Sequence, residues 1–145
     1  MMVFAYQALD ILLAFVLGSL VGAEREWRRH PGGLRSCAIV AAASSSFMRL
    51  MLEVGGNNLS AGLGALATGV GFLGAGVILN LNSVVHGLST AATFWAVAAL
   101  GAACGARQFG VAAALFMALV LSNFVLRPIS LRIARHAPPD PEGPN

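Results

Sequence analysis

Five stretches with almost no charge, each close to the length of a bilayer crossing, dominate this chain and limit what it can fold into. A bilayer core of about 30 Å needs about 20 helical residues. The segments run from about Val3 to Gly22, Ser36 to Val54, Gly62 to Leu81, Gly87 to Gly105 and Phe109 to Leu126. Lipid offers the backbone no hydrogen-bonding partner, and the runs lack the alternation of barrel strands. The reading is an all-α membrane protein, a bundle of about five transmembrane helices.

Composition supports lipid as the surroundings. Of 145 residues, 57% are hydrophobic and only 10% charged, against about 25% charged in soluble domains. Mean hydropathy is +0.77. The net charge of +3 comes from arginines at the ends of apolar runs, with no lysine; that is a topology signal and argues against nucleic acid as a partner. Cys37 and Cys104 lie inside apolar runs, where free cysteine acts as a small hydrophobe. Met1 to Val21 has no basic n-region and carries Asp10, so it reads as a retained first span. A transmembrane domain over 1–128 precedes a short tail over 129–145, basic at first and then proline-rich.

One charged junction, Gly22 to Ser36, reads GAEREWRRHPGGLRS. Arg25, Arg28, Arg29 and Arg35 face Glu24 and Glu26 there, and Arg127, Arg132 and Arg135 follow the fifth segment. Five crossings put both groups on one side, while Arg49 and Arg107 fall on the other. The bias predicts an external N-terminus and a cytoplasmic C-terminus. Glu24 and Arg28 form a favourable i,i+4 pair if the first helix extends past the bilayer, whereas Arg25 and Arg29 repeat that spacing with like charges. Pro31, Gly32 and Gly33 set a turn. Anionic lipid and a protein partner are the two readings for the loop arginines.

Ionisable residues inside spans are costly and usually paired or functional. Asp10 and Arg49 lie about 10 Å and 9 Å below the same surface at 1.5 Å per residue, which predicts a pair. Glu53 follows Arg49 by one turn. His86, Thr90 and Thr93 share a helical face at the start of segment four, beside Ser89. Together these residues either hold helices together or line an ion path. No nucleophile with a base and orienter appears, and no Cys/His spacing supports a metal or cofactor.

Segment three is rich in glycine. Ala67, Gly71 and Ala75 fall four apart, as do Ala61, Ala65 and Gly69, with Gly74 and Gly76 widening the small surface. Such rows let helix backbones approach closely, within the bundle or across a homodimer. Trp95 lies well inside its span and reads as interhelical packing, whereas Trp27 suits the membrane interface.

Three stretches together resemble the MgtC/SapB family of bacterial inner-membrane proteins: GSLVGAEREW…HPGGLRS, then GVGFLGAGVIL from Gly69 to Leu79, then HGLSTAATFWAVAALG from His86 to Gly101. The resemblance implies a multi-pass membrane domain linked to growth in low magnesium and to survival inside phagocytes, a virulence-related trait. It implies regulation in preference to magnesium transport, with the membrane-embedded ATP synthase as a partner of some members. The positions carried by motif are Asp10, Glu24, Arg25, Gly33, Leu34, Arg35, Gly74, Gly76, Thr90 and Trp95. Departures fall at Asn58, Ala61, Asn80, His86 and Ser89, and the soluble domain of many members has no counterpart. Two functions follow as expectations: a regulatory protein acting through the small faces of segments three and four, or a small cation-transport subunit lined by Asp10, Arg49, Glu53 and the start of segment four.

Overall fold

The computed structural model of the chain describes residues 2–54, 58–81 and 84–136. Six helices and one hairpin follow in order: α1 (Met2–Trp27), α2 (Leu34–Val54), α3 (Leu59–Val77), β1 (Leu79–Leu81), β2 (Val84–His86), α4 (Leu88–Gly105), α5 (Phe109–Leu121) and α6 (Arg127–His136). A π-helical turn, Ser122–Leu126, joins α5 to α6. Five helical stretches are long and apolar enough to cross a membrane.

Packing is inside out relative to a soluble protein. Large apolar side chains such as Leu12, Phe15, Ile39, Phe47 and Phe72 point outward, while alanine, serine and cysteine fill much of the centre. With lipid as solvent there is no hydrophobic gain from hiding leucine, so close backbone approach holds the helices together. Helix α4 is the hub. Phe94, Val97, Leu100, Ala103 and Cys104 form a core with Ala14 and Val21 of α1, Cys37 and Ala41 of α2, and Ala112 of α5.

Two glycine pairs set that closeness. Gly18 and Gly22 of α1 face α2, where a Cβ at Gly18 would stand 2.7 Å from the Cys37 carbonyl oxygen. Gly101 and Gly105 of α4 also face α2, where a Cβ at Gly101 would overlap the Ala41 carbonyl. The glycine-rich helix plays no comparable part. In α3 only Val70 and Gly74 are buried, and Gly74 meets Ala91 at ordinary contact distance.

The structure departs from the hydropathy reading in three places. Helix α3 ends at Val77, four residues early, because Leu79–Leu81 pairs antiparallel with Val84–His86. Gly87 then takes φ +89°, against the Val77 carbonyl, where a side chain has no room. His86 consequently sits exposed on the hairpin and not on the Thr90–Thr93 face. At the other end, the basic stretch after segment five is helical, and the helix passes through residue 128 without a break. The π turn ends two residues before Pro128, whose nitrogen cannot donate to the Phe124 carbonyl four residues back. The glycine and asparagine link at 55–57, Asn82 and the proline-rich tail at 137–145 lie outside the described residues.

Candidate functional site

The arginine-rich end of the bundle holds a dense polar cluster. Helix α1 runs through Glu24 and Arg25 to Trp27, so these are helical residues and not part of an open loop. Arg25 is buried, at 3% exposure. Its Nη1 donates to Thr93 Oγ1 at 2.8 Å and its Nη2 to Thr90 Oγ1 at 2.9 Å. Nη2 also donates to the Pro31 carbonyl at 2.9 Å, and Nε to the Gly32 carbonyl at 3.2 Å. A planar guanidinium with five donors suits this fan of acceptors. Gly32 has φ +72°, and its missing side chain lets the turn lie on Phe94 and Thr90. Among the junction arginines Arg25 is the one turned inward: its side chain closes the α1–α2 turn onto α4.

Its neighbours divide the remaining work. Glu24 pairs with Arg28 one turn on and accepts from Asn123 Nδ2 at 2.7 Å. The Arg28 guanidinium lies over Phe124, 5.2 Å from the ring centre. Glu26 Oε2 accepts from the Leu34 backbone N–H at 2.8 Å, a carboxylate at the positive start of α2. Gly33 is tight against that carboxylate. Arg29 and Arg35 are exposed, as is Trp27 at 86%. Around Glu24, Arg28, His30, Ser89, Ser122 and Asn123 a cavity of about 380 Å³ opens to the surface.

The opposite end carries one carboxylate between two arginines. Asp10 is 5% exposed. Arg49 Nη1 lies 3.7 Å from Asp10 Oδ2, at the partner the depth argument named. Arg107 Nε is closer, at 3.0 Å, with its guanidinium 5.2 Å over the Tyr6 ring. Arg107 sits in the α4–α5 turn at φ +58°, so the cluster ties α1, α2 and that turn together. Glu53 is not part of it; it bonds Gln7 at the exposed edge of α1 and α2.

Sequence reasoning had not singled out Arg107, Asn123, Phe124 or Gln7 for contacts. Arg107 was discoverable by the depth argument used for Arg49, since its turn falls on the same side as Asp10. Asn123 is the lone amide in the last turns of the fifth apolar run, yet nothing local points it at Glu24. Trp95, expected in interhelical packing, is 54% exposed and lines a shallow cavity with Leu63, Leu66 and Val70 of α3.

The buried arginine, its two threonine acceptors and the PGG turn all fall in the stretches that carry the family resemblance. The profile of the MgtC family matches residues 11–132. The chain belongs to the MgtC family. It is 39% identical over 133 residues to Protein MgtC of Salmonella typhimurium, covering 92% of this chain and 57% of that protein. An uncharacterized protein of Synechocystis is 39% identical over 131 residues, covering 90% of this chain and 56% of its own length. Protein MgtC of Brucella abortus is 38% identical over 126 residues, with 86% and 53% covered. The chain thus spans a little over half the length of these curated relatives. No solved structure matches it. Family membership and five apolar helices together make it a multi-pass membrane protein.

Proposed function

We propose that this MgtC-family chain is a regulatory protein of the bacterial inner membrane. In this reading it serves adaptation to magnesium limitation by lateral contact of α3 with a partner in the bilayer. The observation that carries this is the unused glycine surface of α3. Among the described residues, a Cβ placed at Gly64, Gly69, Gly71 or Gly76 would meet no atom beyond its own helix backbone and chain neighbours within 4 Å. Each glycine in a helix interior costs about 0.5–1 kcal/mol relative to alanine, and none of the described neighbours repays it there. A neighbouring helix approaching closely would. Helix α4, which also entered the contact-face expectation, is consumed by the core. The contact therefore rests on α3, with a membrane-embedded complex such as ATP synthase as the first partner to examine.

The alternative, a cation path, joins Asp10 and Arg49 to the polar start of α4. Asp10 is fifteen residues from Arg25 on α1, about 22 Å along the axis, and Arg25 marks the level of Thr90. Between those levels lie Ala14, Val21, Val97 and Leu100, packed and apolar. This interior favours contact over conduction.

Crosslinking and pull-down from native membranes at low magnesium test the reading. A defined membrane complex should be captured and lost on Gly71→Leu, a substitution with open space around it in this chain. Cation flux in liposomes that is abolished by Asp10→Asn would overturn the proposal.

A further inference from the structure

We infer that the chain carries a dedicated site for one anionic phospholipid, at the arginine-rich end between α1, α4 and the α5–α6 helix. Two cavities join there. The polar one, about 380 Å³, is walled by Arg28, His30, Ser89, Ser122 and Ser130. The second, about 270 Å³, is a crevice between α4 and α5 whose deeper wall is Ala92, Thr93, Ala96, Leu115, Ala118 and Leu119. Ser89, Ser122 and Asn123 line both, so the polar mouth adjoins a cleft whose deeper wall is mostly aliphatic.

The direction of that passage matches a lipid. From Ser89 to Ala96 the crevice follows α4 inward by about 10 Å at 1.5 Å per residue, and from Ser122 back to Leu115 it follows α5 inward by the same distance. The polar part is therefore at the helix ends, at headgroup level, and the apolar part reaches toward the acyl chains. A water-filled anion site would need no such cleft.

Charge and hydrogen-bonding capacity select the head. The wall includes two guanidiniums, Arg25 and Arg28, against one carboxylate, Glu24. Glu24 is engaged by Arg28 and Asn123. Arg28 is held in place by that pair and by Phe124 beneath it, which presents its charge at a fixed point. Helix α4 begins beside this mouth, with Ser89 of its first turn in the wall and no side-chain cap on its positive end. Among the described residues, the hydroxyls of Ser89, Ser122 and Ser130 have no protein partner. Hydroxyls, a guanidinium and a helix start are donors for phosphoryl oxygens. The π turn, Ser122–Leu126, forms part of the rim and sets Asn123 against Glu24.

Native mass spectrometry of the delipidated 145-residue chain in mild detergent tests the site. The probes are phosphatidylglycerol, phosphatidylcholine with the same acyl chains, and inorganic phosphate. A one-to-one phosphatidylglycerol adduct is expected, about tenfold tighter or more than the phosphatidylcholine adduct, with inorganic phosphate giving none at the same concentration. Arg28→Gln should weaken the adduct about tenfold by removing the charge. Ala118→Phe, at an exposed position in the crevice wall, should weaken it by blocking the cleft, with an unchanged elution volume. Equal affinity for the two lipids, phosphate binding as tight as lipid binding, or an adduct indifferent to both variants would each overturn the site.

Discussion

Arg25 of α1 reaches across the bundle to the hydroxyl of Thr93 on α4, 2.8 Å away and 68 residues distant in sequence. The same guanidinium holds the Pro31 and Gly32 carbonyls of the turn that ends α1. A charge that would be expensive in lipid is thereby spread over backbone and hydroxyl acceptors. Two threonines lie one turn apart on the hub helix, so the latch fixes both the rotation of α1 and the path of the turn into α2.

Replacing Arg25 with lysine should loosen this latch. An ammonium has three donors on one nitrogen and cannot span acceptors on both α4 and the turn. The expected loss is about 3 kcal/mol, since buried acceptors are left without partners. Thr93→Val should cost about 1–2 kcal/mol. Thermal unfolding in detergent, followed by tryptophan fluorescence, measures both; wild-type stability for Arg25→Lys would refute the latch.

Asp10 serves two arginines, so its removal should be non-additive with theirs. Asp10→Asn leaves Arg49 at a partly buried position without its counter-charge, at a cost of about 2–3 kcal/mol. Arg107 is more exposed, and its coupling to Asp10 should be about 1 kcal/mol or less. Double-mutant cycles read these couplings directly, and losses that simply add would dissolve the three-way cluster.

Glycines of α4 and α3 should respond to alanine in opposite ways. Gly101→Ala drives a methyl group onto the Ala41 carbonyl and should cost about 1–3 kcal/mol through overpacking. Gly71→Ala meets open space and should be neutral or stabilise by up to about 1 kcal/mol. Melting temperatures of the two purified variants decide. Equal destabilisation would mean that α3 packs against something in the purified protein.

Accessibility labelling should give the orientation. Both native cysteines are buried, so a membrane-impermeant maleimide should leave them unmodified until the protein is denatured. A cysteine introduced at exposed Arg35, with Cys37 and Cys104 replaced by alanine, should label only once the membrane is opened. Labelling in intact spheroplasts would invert the topology.

Hydropathy was enough to find the five crossings and their order, because length and lack of charge are local properties. Depth counting placed Arg49 near Asp10 for the same reason. What escaped was everything that depends on which face of a helix has a neighbour. Four arginines in a short junction look alike in sequence, yet only Arg25 meets threonines on another helix. Glycine density drew attention to α3, while the sparser Gly101 and Gly105 make the close approach. The hairpin stayed hidden because Leu79–Leu81 continues the apolar run of α3, and three residues carry too little pattern to separate strand from helix end.

Asp10 finds its nearer guanidinium 97 residues later in the chain. At about 5–20 residues per second, that interval is roughly 5–20 s of synthesis. Arg49 of the second span is made first and supplies the more deeply buried counter-charge. The first two spans can therefore pair in lipid before the rest of the chain exists, and the α4–α5 turn, leaving the ribosome last of the three, adds its guanidinium to a carboxylate that is already held.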